Sequence, residues 1–403
     1  MADLESPPQS VADTAPAPTP EPGRRPGAFL GIVVVISLLL FGVPWWTLFR
    51  PSNDWPLAVV LVGSLVIVAG IVGLPVSMMR GHGRNDDRAA RIGDTLLGVV
   101  WVLFVWSVIG QIVGLALLAG GVDDPARSRI VAVFTLVVSV VLLIWGNYEA
   151  MRVSRVRELD VTLPRLGAGL DGTRVVLLAD THYGPIDRAD WSRKVAALVN
   201  TLDADVVAHA GDIADGTPEQ RSAQAAPLGT LNARLAKVYV TGNHEYFNEA
   251  QGWLDRMTDL GWNSLHNRHV VVERGGDRLV IAGVDDVTAK SSGLPGHRTD
   301  LAAALAGADP DLPVLLLAHQ PKFIAQAAEA GIDLQVSGHT HGGQMWPFNY
   351  LVRLDQPVVR GLSRHGARTQ LYTSGGTGFW GPPFRIFAPS EITVLTLRSP
   401  ARA

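Results

Sequence analysis

Hydrophobic and polar positions divide this chain into two parts with different periodicities. In the N-terminal part, four stretches without a charged residue follow one another, at 28–49, 55–79, 95–120 and 130–148. A helix needs about 20 apolar residues to cross the hydrocarbon layer of a membrane, and the four stretches meet that requirement. Tryptophan and tyrosine lie near several of their ends, where amphipathic rings favour the membrane interface. The pattern predicts four membrane-spanning helices within residues 28–150.

Arginine positions predict the orientation of these helices. Two arginines precede the first stretch, four lie between the second and third, and three follow the fourth, against three on the other side. The more positive side usually faces the cytoplasm. Because four crossings return the chain to its starting side, we expect a cytoplasmic C-terminal part. The alternative is that Arg24, Arg25 and the first stretch form a twin-arginine export signal, which would place that part outside.

Proline dominates the first 27 residues, which contain seven of them among alanine, serine, threonine and acidic side chains. Such a segment cannot bury enough apolar surface to order itself. We therefore predict a disordered tail over residues 1–27.

From about Val161 onwards the periodicity changes, because short β-branched runs alternate with alanine-rich helical patterns. Strands are predicted at 174–180, 205–212, 237–241, 269–273, 278–284, 312–318, 334–336, 370–373 and 391–397, and helices at 189–202, 226–235 and about 250–260. The strands at 269–273 and 278–284 form a predicted hairpin around Gly275, Gly276 and Asp277. Strands that alternate with helices are typical of an α/β layered sandwich, here over residues 158–399.

Composition limits the metal ligands and the partners that we expect for that sandwich. The chain has no cysteine, so a metal would have to bind histidine, aspartate, glutamate or asparagine. A net charge of -3 gives no electrostatic reason to expect a nucleic-acid polymer as partner. We infer no obligate protein partner, and the expected partners are the lipid bilayer and a phosphoester substrate.

Candidate donors recur just beyond the C-terminal ends of the predicted strands, where open α/β sheets bind their ligands. In chain order they are Asp180, His182, Asp212, Asn243, His244, Glu245, His319, His339 and His341. In an extended backbone, residues two apart point to the same side, so each D-x-H or H-x-H pair could face one cation. Oxygen donors mixed with imidazoles suit two borderline cations such as Mn, Fe, Zn or Co, and suit Ca²⁺ poorly.

As a set, D-x-H, G-D, G-N-H-E, H and G-H-T-H resemble the pattern of the calcineurin-like metallophosphoesterase family, over residues 161–398. Gly242–Phe247 (GNHEYF), GVDD at 283–286 and GHTHGGQ at 338–344 are similar to a membrane-associated bacterial branch of that family. The resemblance implies a four-layer α/β/β/α sandwich that follows the membrane helices and holds two divalent metal ions.

The resemblance also implies a role for each matching residue. The first metal would be held by Asp180, His182, Asp212 and His341, and the second by Asp212, Asn243, His319 and His339. Asp212 would bridge the two metals. His244 would act at the leaving group, Glu245 would orient His244, and Asn243 and His244 would contact substrate.

The implied reaction is the hydrolysis of a phosphomonoester or phosphodiester by a metal-bridging hydroxide, with no covalent phospho-enzyme. The membrane helices suggest a lipid-linked substrate, and a cyclic or linear nucleotide is the alternative. A membrane regulatory or binding protein without turnover is the alternative from another class. A transporter is disfavoured because the four apolar stretches contain no charged residue or histidine.

Several other residues are less clearly indicated as functional by the sequence. Arg385 could contact a substrate phosphate, although a surface position is the expectation for most arginines. The apolar segment 345–351 could form a lip for a lipid substrate or belong to the core. Asp285 and Asp286 could support the site or belong to a turn, and His209 is expected in the core. No partner is predicted for His82, His266, His269, His297 or His365, which are expected on the surface or in loops.

Overall fold

The computed structural model describes residues 26–400 and begins with four long helices: α1 (Pro26–Phe49), α2 (Leu57–Arg84), α3 (Asp87–Ala119) and α4 (Ala126–Met151). All four have the length and apolarity needed to cross a membrane, as predicted. Most of the predicted disordered tail lies outside the described residues, and its last two positions, Pro26 and Gly27, belong to α1.

Helix α3 begins eight residues before the apolar stretch that predicts it, because Asp86 caps it. The Asp86 carboxylate accepts hydrogen bonds from the backbone amides of Arg88 and Ala89. At 1.5 Å per residue, the 33 residues of α3 span about 50 Å. The hydrocarbon layer is about 30 Å thick, so part of α3 must extend beyond it.

The remainder of the chain alternates strands with helices. In order the elements are β1 (Arg155–Thr162), β2 (Thr173–Leu178), α5 (Ala189–Asn200), β3 (Val206–His209), α6 (Pro218–Ala225), β4 (Ala236–Tyr239), α7 (Asn243–Phe247), α8 (Ala250–Asp259), β5 (Asn263–Ser264), β6 (Arg268–Arg274), β7 (Asp277–Gly283), α9 (Leu301–Ala304), β8 (Val314–Leu317), α10 (Ile324–Glu329), β9 (Leu334–Ser337), α11 (Phe348–Val352), β10 (Gly361–His365), β11 (Thr369–Thr373) and β12 (Glu391–Arg398).

Two six-stranded sheets organise these elements. The first has the order β1-β12-β2-β3-β4-β5 and the second β10-β11-β9-β8-β7-β6. Strands β2, β3 and β4 are parallel to one another, as are β7, β8 and β9. Their carboxyl ends therefore lie on a common edge of each sheet, and the loops that leave them meet there.

Three apolar layers hold the sheets and helices together. Leu177 and Val206 of the first sheet pack against Ile281 and Leu315 of the second, in the core between the sheets. The outer face of the first sheet packs against α5 and α8, and the outer face of the second packs against α9 and α10. The predicted four-layer α/β/β/α arrangement is confirmed.

The predicted helix at 226–235 is wrong. The helix here is α6, which ends where the prediction begins, and Ala226–Thr230 forms only a 3₁₀ turn. Thr217 and Gln220 form a capping box, and Pro218 occupies the first helical position, so the helix starts earlier. Pro227 has no amide hydrogen to donate, so α6 does not continue as an α-helix through this position.

Three strands were not predicted: β1, β5 and β10. All three lie at a sheet edge, and each carries charged or polar side chains at exposed positions. Strand β10 pairs with the adjacent β11, whereas β1 pairs in parallel with the distant β12, from Arg155↔Glu391 to Thr162↔Arg398. Pairing over such a separation has no local sequence signal.

Candidate metal centre

The seven predicted metal donors converge at the strand ends, between the two sheets. They lie beyond β2 (Asp180 and His182), β3 (Asp212), β4 (Asn243), β8 (His319) and β9 (His339 and His341). Six of the seven are buried and His339 is partly buried, and donor atoms from different loops approach within hydrogen-bond distance of one another. The loops of both sheets therefore contribute to one centre.

Asp212 lies between two groups of donors. Its Oδ2 is 3.1 Å from His319 Nε2 and 3.6 Å from His182 Nε2. His182 Nε2 is in turn 3.1 Å from His341 Nε2, and Asn243 Oδ1 is 2.8 Å from His339 Nδ1. This is the position that a carboxylate bridging two cations would take.

The donor set fits two cations. Asp180, His182 and His341 form one group and Asp212, His319 and His339 another, and within each the donor atoms lie within 4.8 Å. Asp180 Oδ2 is buried and has no hydrogen-bond partner among residues 26–400, which leaves it available to a metal.

The imidazoles are held in forms that suit metal binding. Burial lowers the pKa of His339 to about 3, so this ring is neutral and keeps a lone pair at neutral pH. His319 Nδ1 lies 2.7 Å from the carbonyl oxygen of Ala210, and His182 Nδ1 lies 3.1 Å from Asp215 Oδ1. Each contact fixes the proton on Nδ1 and turns Nε2 towards the centre.

The backbone at the donors is strained. Asp180, His182, Asp212, His339 and His341 all have φ between 43° and 71°, in the left-handed region that side chains with a Cβ disfavour. The extended D-x-H geometry expected from the sequence is therefore wrong, although both side chains of each pair do face the centre. Each such residue costs about 1–3 kcal/mol, which the surrounding structure must offset.

Sequence reasoning missed Asp215, which lies three positions after Asp212. Its Oδ1 is 2.6 Å from His244 Nδ1 as well as 3.1 Å from His182 Nδ1. Burial alone would lower the pKa of His244, but the carboxylates of Asp212 and Asp215 outweigh it and raise that pKa to about 9. The protonated form of His244, an imidazolium, is the form that donates a proton. The sequence feature that could have revealed Asp215 is the presence of a second aspartate in the loop after β3.

Glu245 does not hydrogen-bond to the His244 ring. Its carboxylate instead accepts hydrogen bonds from the backbone amides of Asp212, Ile213 and Gly242, at 3.0, 2.8 and 2.6 Å. Glu245 thus holds together the two loops that carry Asp212 and Asn243. The contact that orients His244 comes from Asp215.

Arg385 is fully buried, so the expected surface position is wrong. Its guanidinium donates hydrogen bonds to the carbonyl oxygens of Gly378 (2.8 Å), Ala388 (2.8 Å) and His341 (3.2 Å). Its Nη2 also lies 3.3 Å from His341 Nδ1. Arg385 contacts the candidate metal donor His341 on the side away from the pocket, and it does not line the pocket. The geometry therefore does not support its predicted contact with substrate.

His209 is a core residue, as expected, because it is fully buried and lies 3.2 Å from Thr181 Oγ1. All five histidines for which no partner was predicted have one, and for two of them it is a carboxylate. His82 Nε2 lies 2.9 Å from Asp94 Oδ1, and His266 Nδ1 lies 2.7 Å from Asp285 Oδ1. Each of these two carboxylates belongs to a different element or loop from its histidine, so no local pattern reveals the contact.

A pocket of about 510 Å³ opens from the metal centre. Asp212, Asn243, His244, His339 and His341 lie at its polar end. Its other walls are mostly apolar and include Met345, Phe348, Phe247 and Trp380 from the sandwich and Leu97 and Trp101 from α3. The segment 345–351 thus contributes a wall of the pocket, and Tyr350 (58% exposed) and Leu351 (49% exposed) are not core residues.

Comparison with known proteins agrees with this geometry. Residues 173–343 match the family model for calcineurin-like phosphoesterases. A "transmembrane protein with metallophosphoesterase domain" from Danio rerio is 34% identical over 308 residues, which are 74% of this chain and 70% of that relative. The chain belongs to the calcineurin-like metallophosphoesterase family. An uncharacterized metallophosphoesterase of Campylobacter jejuni is 33% identical over 74% of this chain and 79% of its own length.

Family membership identifies the chain as a relative of metal-dependent phosphoester hydrolases, and the four apolar helices make it membrane-associated. Among solved structures, the NAD nucleotidase of Haemophilus influenzae matches with a TM-score of 0.36 and 17% identity, over 51% of this chain and 45% of that one.

Proposed function

We propose that the protein hydrolyses a phosphoester whose organic part is apolar and resides in the membrane. The phosphoryl group would lie at the polar end of the pocket, against the metal centre and His244. A hydrocarbon substituent would lie along the apolar walls, towards α3. A phospholipid or a lipid-linked phosphate has this combination of groups.

The observation that supports this proposal is the shared wall of the pocket. Leu97 and Trp101 belong to a membrane helix, whereas Asp212 and His244 belong to the metal centre, and all four line one cavity. Exposed apolar side chains continue around it, among them Phe247 at 66% exposure. A polar, water-soluble substrate would gain little from contact with such an apolar surface. A hydrocarbon chain would be stabilised by about 25 cal/mol per Å² removed from water.

Different side chains would carry out different steps of the reaction. Two divalent cations held by the seven donors would supply a nucleophile at neutral pH and offset the charge on the phosphoryl oxygens. Asn243 and His244 line the pocket where the phosphoryl group would bind. The His244 imidazolium, held by Asp215, donates its proton to the departing oxygen.

The same proposal includes a cytoplasmic catalytic part and the lipid bilayer as partner. Asp87, at the start of α3, forms an ion pair with Arg221 of the sandwich. The end of α2 and the start of α3, which carry Arg84 and Arg88, therefore lie on the same side of the membrane as the metal centre. That side has nine of the twelve arginines that flank the apolar stretches, which favours the cytoplasm.

The test uses the full-length protein in lipid nanodiscs with Mn²⁺ and a series of alkyl 4-nitrophenyl phosphodiesters of increasing alkyl length. We expect kcat/KM to rise with chain length, by up to about fourfold per methylene, since a buried CH₂ contributes about 0.8 kcal/mol. Asp212→Asn should abolish turnover of every ester. Trp101→Ala should weaken the dependence on chain length.

Ile112→Ala is the matched control, because Ile112 lies on α3 but is 63% exposed and does not line the pocket. A kcat/KM that is independent of chain length, together with faster hydrolysis of cyclic or linear nucleotides, would support a nucleotide phosphodiesterase instead. A metal-loaded protein that hydrolyses none of these esters would support the non-catalytic alternative.

A further inference from the structure

The loop between β11 and β12, residues 374–390, passes directly behind the metal donors. The amides of Thr377 and Gly378 donate hydrogen bonds to the carbonyl oxygens of Ala179 and Asp180, at 2.7 and 2.9 Å. A Cβ on Gly378 would lie 2.2 Å from the carbonyl oxygen of Thr181, so no side chain fits there. Any displacement of this β11–β12 loop would therefore displace the segment from Asp180 to His182.

The same loop supports two further groups of the site. Arg385, within the loop, donates to the carbonyl oxygen of His341 and lies against its ring. Trp380 packs on the His244 ring, with centroids 5.7 Å apart, and its amide donates to Gln344 Oε1 at 2.9 Å. The loop thus contacts residues on both sides of the centre.

The β11–β12 loop is itself held by the membrane helices. Asn147 Nδ2 of α4 donates to the carbonyl oxygen of Pro383 at 3.0 Å, and the amide of Arg385 donates to the carbonyl oxygen of Gly146 at 2.9 Å. At Gly98 of α3, a Cβ would lie 2.4 Å from the Phe384 ring. Helix and loop approach this closely only because a glycine occupies the contact.

A second connection runs from α3 to the proton donor. Asp87 accepts two hydrogen bonds from the Arg221 guanidinium, at 2.6 and 2.7 Å. The Nε of the same guanidinium donates to the backbone carbonyl of Asp215 at 2.9 Å. Arg221 is buried and Asp87 is half-exposed. The Asp215 carboxylate contacts both His182 and His244.

We infer that the membrane helices position the catalytic groups, with Asp87, Arg221 and Asn147 as positioning residues. Through Asp87 and Arg221, α3 sets the position of Asp215 and therefore of His244. Through Asn147, α4 sets the position of the β11–β12 loop and therefore of His341. This inference rests on the proposed function, and it predicts that the hydrolysis of a small, fully water-soluble ester also depends on these contacts.

The first test compares full-length wild type with Asp87→Asn and Asp87→Glu in nanodiscs, at saturating Mn²⁺, on phenyl and 4-nitrophenyl phosphate esters. Phenoxide is the poorer leaving group and needs the proton from His244 more. We expect Asp87→Asn to lower kcat about tenfold on the phenyl ester, with a smaller loss on the 4-nitrophenyl ester and little change in KM. Asp87→Glu keeps the carboxylate and should recover part of the loss.

Arg127→Gln is the matched control, because it removes the ion pair between Arg127, in the first turn of α4, and Asp124, in the connection between α3 and α4. A general loss of folded protein would lower both rates equally and leave their ratio unchanged. Rates within twofold of wild type on both esters, with an unchanged ratio, would overturn the inference and leave the proposed function intact. A wild type without turnover would instead contradict the proposed function.

A second test does not depend on turnover. Mn²⁺ binding to Asn147→Ala and to wild type is measured by equilibrium dialysis in the same nanodiscs. We expect about tenfold weaker binding at one of two sites, because His341 loses part of its support. Equal affinity and equal stoichiometry in the two proteins would overturn the role of Asn147, whether or not a substrate is hydrolysed.

Discussion

Replacement of Asp215 by asparagine tests the hydrogen bonds that hold His244 and His182. Asp215→Asn keeps the shape of the side chain but removes the charge that lies 2.6 Å from His244 Nδ1. A hydrogen bond to a charged group contributes about 1.5–3 kcal/mol. If that contribution is lost from the transition state, kcat falls by roughly 10- to 150-fold, since about 1.4 kcal/mol corresponds to a factor of ten.

The assay is steady-state turnover of a phenyl phosphate ester by the full-length protein, with bound Mn²⁺ measured on the same samples. The contact with His182 predicts weaker metal binding as well, so kcat must be compared at full metal occupancy. Asp187→Asn, in an exposed loop nearby, controls for the loss of a charge. A kcat for Asp215→Asn within threefold of wild type at equal metal content would refute the reasoning.

Three further predictions concern stability. Hydrogen bonding to Asp285 raises the pKa of His266 above 6.5 against the opposing effect of burial, so this contribution is present below pH 6.5 and lost as pH rises through the raised pKa. His266→Gln should therefore lower the unfolding temperature more at pH 6 than at pH 9, and an equal shift would contradict this. Removal of metal by a chelator should destabilise wild type by about 3 kcal/mol relative to Mn²⁺ at 100 times Kd, whereas Asp212→Asn should respond much less. Arg165→Ala removes the closer of two ion pairs to the buried Asp333 carboxylate. It should cost about 3 kcal/mol, the low end for a broken buried pair, because Arg368 remains 3.7 Å from the same carboxylate. The exposed Arg193→Ala should cost less than about 1 kcal/mol in the same denaturation assay.

The linear sequence was enough to predict the elements whose causes are local. Uninterrupted apolar stretches predict α1 to α4, because the length of a membrane helix is set by the thickness of the hydrocarbon layer. Buried β-branched runs predict β2, β3 and β8, and the order of donors after them predicts the metal centre. These candidate donors could be predicted to lie together because parallel strands bring their carboxyl ends to one edge of a sheet.

Contacts between distant segments could not be predicted in this way. Asp215 is three residues from Asp212, yet its role depends on His182 and His244, which reach it from other loops. Arginine is usually exposed, so the sequence predicts a surface position for Arg385. Its burial and its hydrogen bond to the carbonyl oxygen of His341 depend on the loop that folds back over its guanidinium.

The sequence by itself determined the membrane helices, the layered α/β class and the seven candidate donors, because each depends on hydrophobic periodicity or on short motifs at strand ends. Tertiary structure alone decided that Trp101 of α3 lines the pocket beside the candidate metal centre and that Asp87 and Asn147 contact the α/β sandwich. The physical reason is that such contacts join segments far apart in the chain, and their geometry is set by the packing of complete helices and sheets.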